Sequence, residues 1–447
     1  IYKETIIEIF FTEGVFLNSV WYDKTKLPSF NRLENDIKTD VLIIGGGITG
    51  ILCAHFLHNA GVDYVLTEAE TICDGTTKNT TAKITSQHGL IYDKLIREFG
   101  EKKAADYLRA NQAALEKYRE LCRNTDCDFE IINNAVYSVS DKNKISKELS
   151  ALKALGFNAQ YEQTPPLPFK TAGAVVFENQ AQFNPLKFLA SISQKLNIFE
   201  HTKVTKIIQN TAFTDNGTVN AKKIIVATHF PFINSHGSYF LKMYQHRSYV
   251  IAYSNASNIG GMYVDEANGG MSFRNYENLL LIGGGGHRTG MQGGSFNEIE
   301  SFAKLHYPEA HEEYRWATQD CMTLDGAPYI GNYSALTPNL YTATGFNKWG
   351  MTSSMLAAEI LSDLICGKKN RYADIFSPSR SILRVQTAVN FAHAVSGLVG
   401  ISEKRCPHMG CTLKRNKAEH TWDCPCHGSR FDESGKLIDN PAMKNLK

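Results

Sequence analysis

Asp40-Val41-Leu42-Ile43-Ile44-Gly45-Gly46-Gly47-Ile48-Thr49-Gly50 is the stretch on which the fold turns. Its first five residues form a short apolar run of the kind that makes a buried parallel strand. Glycines follow at once, and Ile51, Leu52, Ala54, His55 and Leu57 then recur with helical period up to Gly61. Val62 to Thr67 reads as a second strand, and Glu68 at its end lies 18 positions after Gly50. Together these make a strand–turn–helix–strand unit of about 30 residues, the size of a dinucleotide-binding unit. Gly45 permits the tight turn, Gly47 lets the backbone approach a pyrophosphate, and Gly50 lets helix and strand pack closely. The helix start at Ile48 and Thr49 offers free N–H groups and a positive dipole end to phosphates. Glu68 is placed to accept hydrogen bonds from a ribose hydroxyl, where an Arg would point to a 2′-phosphate. The alternative is a glycine-rich turn that binds nothing; the strand, helix and acidic residue around it weigh against that.

Further along, residues 92–122 read as one helix, Val136 to Ser140 as a strand and 143–155 as helix. Residues 183–197 read as a helix capped by Asn184 with Pro185 in its first turn. Lys222 to Thr228 and Leu340 to Thr344 read as buried strands, and Met351 to Ile365 as a helix. The aromatic and β-branched stretch 244–285, with its Asn/Gly turns, predicts an antiparallel sheet. Gly283 to Gly286 lack a following helix and acidic residue, so they read as sheet and turn. Residues 381–398 form a weakly amphipathic link to a Cys/His-rich end.

Length and composition narrow the class. The chain has 447 residues, which at roughly 150 per domain predicts about three domains. With 43% hydrophobic and 21% charged residues, disorder, collagen-like repeats and coiled coil are excluded as the main architecture. A net charge of +2 gives no footprint for nucleic acid or anionic membrane. No apolar run reaches about 18 residues, so no transmembrane helix is expected. Residues 1–20 carry Glu4, Glu8 and Glu13 without a basic start, unlike a signal peptide, and 1–16 receive no function. Six of the cysteines are scattered, as in a cytoplasmic protein with reduced thiols.

The remaining four cysteines, Cys406, Cys411, Cys424 and Cys426, fall within 21 residues. Cys406-Pro407-His408 and Cys424-Pro425-Cys426-His427 make Cys-x-His, fifteen residues, then Cys-x-x-His. That order suits a [2Fe–2S] cluster with Cys406 and Cys424 on one iron and His408 and His427 on the other. Neutral imidazoles in place of two thiolates raise its potential into the range of roughly −150 to +300 mV. Structural zinc is the competing reading, but zinc knuckles usually space two Cys by two to four residues.

The flavin half resembles the D-amino-acid-oxidase-like family of FAD enzymes, which includes glycine and sarcosine oxidases and γ-glutamylputrescine oxidoreductase. The resemblance is carried by the fingerprint at 45–50, Gly75-Thr76-Thr77-Lys78-Asn79-Thr80-Thr81-Ala82, Ile225-Val226-Ala227-Thr228, the stretch from Thr323 through Asp325-Gly326 to Gly331, and Gly345 to Thr352. These span residues 38–370. The resemblance implies FAD, with Val204 at the adenine, Thr76, Thr77 and Thr81 along the pyrophosphate-to-flavin segment, and Thr228 and Asp325 among the cofactor contacts. Gly345, Gly350, Met351 and Thr352 would meet the flavin ring, where the helix start stabilises negative charge on the reduced ring. The Arg/Tyr pattern that anchors an amino-acid carboxylate is absent, leaving Tyr249, Arg247, His287, Arg288 and Lys348 as candidates. No covalent flavin attachment site is evident.

The C-terminal loops resemble Rieske proteins closely, in Cys406-Pro-His-Met-Gly-Cys411 and Cys424-Pro-Cys-His-Gly-Ser429. The resemblance implies a Cys411–Cys426 disulfide clamping the loops and a Ser429 hydroxyl bonded to a cluster sulfur. Phe431 stands where high-potential members have Tyr, which implies a lower potential here. Only some 50 residues follow the linker, too few to bury much core alone, so this module is expected to lean on the flavin domain or a second subunit.

The expected architecture is α/β: a Rossmann-like FAD-binding domain, an inserted mixed or antiparallel-sheet substrate domain and a small β Rieske module. Its boundaries are an N-terminal extension at 1–37, the FAD domain at 38–99, 181–234 and 321–375, the substrate domain at 100–180 and 235–320, a linker at 376–400 and the module at 401–447. Joining a two-electron flavin to a one-electron cluster implies a dehydrogenase. It would take a small amine or amino acid, oxidise it at the C–N bond and feed a one-electron acceptor. A reductase fed by an external donor, a redox sensor and a flavoprotein with a zinc knuckle are the alternatives. The partners expected are the small-molecule substrate, the electron acceptor and, in a homo-oligomer, further copies of the chain, working in the cytoplasm.

Overall fold

The structure, a computed structural model, describes residues 18–380 and 404–446. Residues 1–16 of the N-terminal extension and the amphipathic stretch at 381–398 lie outside the described residues. Among those described are three sheets.

The first has eight strands. Its path runs Tyr329–Asn332, Leu340–Thr344, Gly217–Val226, Ile37–Ile44, Tyr64–Thr67 and Ile198–Phe199, with a hairpin of Lys206–Ile208 and Thr211–Thr214 attached to Gly217–Val226. Every pairing from Leu340–Thr344 to Ile198–Phe199 is parallel, with Ile43 beside Ile225 on one side and Leu66 on the other. Burial on both faces explains the unbroken apolar run Val41 to Ile44. Helix Ile48–Asn59 follows the first strand as expected, and its Ile51, Leu52 and Leu57 are fully buried. Each such side chain is worth about 1.5–3 kcal/mol relative to exposure. Helix Gly350–Ile365 packs beside it, and the Thr49 and Ser354 hydroxyls meet at 2.9 Å where small residues let the helices close up.

The second sheet has nine strands and is mixed. His311–Thr323, Met243–Ser254, Leu279–Arg288, Ser272–Tyr276 and Met262–Asp265 form the expected antiparallel series. Met262–Asp265 then joins Glu130–Ser138 in parallel, which the turn pattern alone did not reveal. Gly173–Gln182 and Lys83–Ile84 complete the path, so the chain passes between the two large sheets several times.

Two sequence expectations need correction. The helix expected at 92–122 is two helices, Tyr92–Phe99 and Glu101–Cys122, because Gly100 adopts φ 81°, a left-handed conformation that ends the first helix and starts the second. The helix expected at 183–197 stops at Ser193; its start is as read, with Asn184 accepting from Leu186 and Lys187 N–H ahead of Pro185. Such a cap is worth about 1 kcal/mol.

The third sheet is the small C-terminal one, Lys414–Asn416, Thr421–Asp423, Arg430–Phe431 and Leu437–Asp439, all antiparallel. Its core is mostly sulfur: Cys406, Cys411, Cys424 and Cys426 with Leu413, Phe431 and Ala442. So thin a core needs outside support, and it has it, since the module is seated on the nine-stranded sheet through Gln245, Gln319 and Arg247 and on the segment Thr228–Phe230 through Asn440.

Candidate flavin cavity and cluster-binding loops

The ends of the parallel strands open into a cavity of about 970 Å³, where open α/β sheets place their ligands. At its dinucleotide end Gly45 has φ +111°, and a Cβ there would stand 2.6 Å from Ala227 O. A Cβ on Gly50 would stand 1.9 Å from Gly45 O, so this glycine serves helix–strand packing and does not line the cavity. Glu68 lines it; its carboxylate accepts from Gly46 N–H at 2.5 Å and from Glu70 N–H at 3.0 Å. Burial raises its pKa, partly offset by those amide bonds. Thr77 accepts from Ile48 N–H at 3.0 Å, tying the Gly75–Thr81 loop to the helix start. Gly47, Ile48, Thr49, Thr76, Thr77, Thr81, Val204 and Thr228 all line the same cavity.

At the other end Gly345, Gly350 and Met351 line it, but Thr352 and Asp325 do not. Thr352 turns to the core, its hydroxyl donating to Thr85 O at 3.0 Å and lying 2.9 Å from His88 Nε2. Asp325 is buried and held by Arg380, with Nε and Nη2 at 2.7 and 2.9 Å. Both are structural residues rather than cavity contacts.

Of the five carboxylate-anchor candidates, only Tyr249 and Lys348 line the cavity. Arg247 points the other way and binds Glu419 of the C-terminal module. His287 stacks on the Tyr249 ring at 5.8 Å, and the Arg288 guanidinium lies 4.9 Å from the Tyr244 ring. Lys348 lines the cavity with φ 72°, a left-handed conformation rare outside glycine that is stored where structure demands it. Burial lowers its pKa, with Asp320 pulling the other way. Burial raises the pKa of Asp320, which faces Lys348 and His229.

Lys83 was missed in the sequence. It is buried against the cavity, donates to Thr81 Oγ1 at 3.1 Å, and is pushed down to about 7 by burial and by Arg274 nearby. Nothing in the sequence marks it: its neighbours Ala82 and Ile84 are shown to be fully buried only by the fold.

In the C-terminal module the Cys406 and Cys424 thiols face each other. The Cys424 S–H, with the His408 and Met409 amides and the Ser429 hydroxyl, holds the Cys406 thiol below its ordinary value against the opposing effect of burial. Cys411 and Cys426 are disulfide-bonded, and Phe431 is fully buried. His408 Nδ1 and both ring nitrogens of His427 are buried without a partner, and burial lowers both imidazoles, to about 4 and about 3. Two facing thiols and two neutral imidazoles with orphaned nitrogens fit a cluster with Cys on one iron and His on the other. They do not fit zinc, whose bonds of about 2.0–2.3 Å would set ligand atoms under about 4 Å apart. Among the described residues, no three of Cys406, His408, Cys424 and His427 have their ligand atoms all within 4.8 Å of one another.

The histidine edge of the module sits against the nine-stranded sheet and the loop at Asn234. Gln245 donates to His427 O at 2.8 Å and Gln319 to Gly428 O at 2.9 Å. The His427 ring meets Phe240 at 5.9 Å, and His408 Nε2 lies 3.0 Å from Asn234 Oδ1. A Cβ on Gly290 would stand 2.5 Å from Pro425 N, so that glycine makes room for the second cluster loop.

No helix among the described residues is long and apolar enough to cross a membrane. Residues 40–364 match the family of FAD dependent oxidoreductases (DAO), and residues 377–447 match the Rieske [2Fe-2S] domain. The chain is 36% identical, over 96% of each chain, to YhfW of Bacillus subtilis (strain 168), whose name places it among Rieske 2Fe-2S iron-sulfur proteins. In fold it is similar to glycine oxidase from Geobacillus kaustophilus, with a TM-score of 0.65 at 18% identity over 77% of this chain and 99% of that one. It is also similar to L-proline dehydrogenase from P. horikoshii, with a TM-score of 0.64 at 18% identity over 77% and 97% of the two chains. Fingerprint, cavity and cluster loops thus agree with the comparisons: the chain belongs to the DAO family of FAD-dependent oxidoreductases and carries a C-terminal Rieske domain, with FAD and a [2Fe–2S] cluster as its cofactors.

Proposed function

We propose that this chain is a dehydrogenase that oxidises a small amine or amino acid at a C–N bond and passes the electrons singly to a separate acceptor. The observation that carries the reading is the short run of side chains between the cavity and the cluster loops. Tyr244 lines the cavity, and Gln245, next to it on the strand Met243–Ser254, donates to His427 O at 2.8 Å. When bound, the flavin supplies two-electron acceptance from a substrate C–H and the cluster supplies one-electron transfer.

The chain's own residues bind and orient. Lys348, which lines the cavity near Asp320, is the cation we assign to a substrate carboxylate, and Tyr249 lines the same cavity. Lys83 is a second buried amine, and burial lets it hold or release a proton near neutral pH. The similar folds named for glycine and L-proline support an amino-acid-sized substrate. The six unpaired cysteines outside the cluster loops support a cytoplasmic site of action.

The test is an anaerobic panel of small amines and amino acids, with NAD(P)H for comparison, read by flavin absorbance. Bleaching by an amine or amino acid, with the carbonyl product recovered, is the expected result. Bleaching by NAD(P)H alone would reverse the direction of flow and overturn the reading.

A further inference from the structure

The four-stranded sheet does more than carry the cluster loops. Its last strand, Leu437–Asp439, and the turn through Asn440, Ala442 and Met443 form part of the wall of the flavin cavity. This segment is fastened at several points. The Asn440 side-chain amide donates to Thr228 O at 2.8 Å and Phe230 O at 2.9 Å, while the Asn440 backbone carbonyl accepts from Gln245 Nε2 at 3.2 Å. Met443 O accepts from Lys203 Nζ at 3.5 Å. Lys203, Val204 and Thr228 line the cavity themselves, beside the strand end against which the fingerprint glycine Gly45 packs. The dinucleotide site implied by the fingerprint is therefore closed on one side by the Rieske domain.

We propose that Leu437–Met443 is part of the FAD-binding site, so that the flavin domain and the Rieske domain hold the dinucleotide jointly. Asn440 and Met443 are its anchoring residues, and the ligand class is the diphosphate dinucleotide itself. Coupling of this kind is reciprocal: FAD fastens the module, and the docked module retains FAD. The joint site needs only the cofactor assignment and stands whatever the substrate proves to be.

Hydrogen exchange on the full-length wild-type protein, with the cluster loaded and FAD removed or restored, reads this directly. FAD is expected to slow exchange at the amides of 437–443 as well as at the fingerprint turn. Slowing at the fingerprint with no change at 437–443 would overturn the proposal. In Asn440→Ala, which loses the two hydrogen bonds to the flavin domain, FAD titrated into the apoflavoprotein is expected to bind about tenfold more weakly while iron and sulfide stay at the wild-type level. Unchanged FAD affinity in that variant at full iron content would also overturn it. Where the variant fails to fold, the wild-type exchange measurement decides alone.

Discussion

Arg247 leaves the nine-stranded sheet to form a buried ion pair with Glu419 of the Rieske domain, and Arg430 closes on the same carboxylate at 2.8 Å. The Arg247 side chain is 3% exposed and that of Glu419 15%. Removing one member of such a group leaves a charge buried and uncompensated, at a cost of about 3–5 kcal/mol. Glu419→Ala is therefore expected to undock the module and lower the unfolding midpoint, whereas the paired Arg247→Met/Glu419→Leu variant loses much less. Denaturant unfolding of the three proteins checks this.

The same pair sets a pH dependence. Burial pushes the Glu419 carboxyl up, but Arg247 and Arg430 outweigh it and hold it below its usual 4.5. A depressed carboxylate contributes stability above its unfolded pKa and loses it as pH falls through the folded one. Wild-type docking is expected to weaken as pH falls below about 4.5, and Glu419→Gln to be weakly docked at every pH. Exchange rates of the 437–443 amides across pH 3–7 read both.

Lys83 carries the opposite sign. Burial lowers it to about 7, so between there and its unfolded value the unfolded chain holds the extra proton. Stability is then expected to rise with pH from about 7 to about 10, by at most about 1.4 kcal/mol per pH unit. Lys83→Met is expected to flatten that slope and raise stability at pH 7. Thermal melts at several pH values, both proteins side by side, give the comparison.

Lys348 is expected to separate amino acids from plain amines. A charge-assisted hydrogen bond is worth about 1.5–3 kcal/mol, so Lys348→Met should lower kcat/KM for amino acids by roughly 10- to 100-fold while changing simple amines little. An equal loss for both classes would move Lys348 from carboxylate recognition to a general structural role.

How far the sequence could be read depended on how local each signal was. The stretch from Asp40 to Gly50 specified strand, turn and helix because each glycine answers a contact within its own unit, such as Gly50 against Gly45 O. The Cys/His loops were legible for the same reason. Arg247, Asp325 and Thr352 were misread because their partners lie far along the chain, at Glu419, Arg380 and His88. Lys83 was invisible because only the cavity shows that a lysine in a short edge strand faces inward.

The central claim is that flavin and cluster exchange electrons within one chain. Low-temperature EPR of the anaerobic holoprotein, taken during titration with the donor that bleaches the flavin, tests it most directly. A Rieske-type signal growing as the donor is added is the predicted result. A flavin fully bleached by the donor beside a cluster that dithionite reduces but the donor leaves oxidised would contradict it.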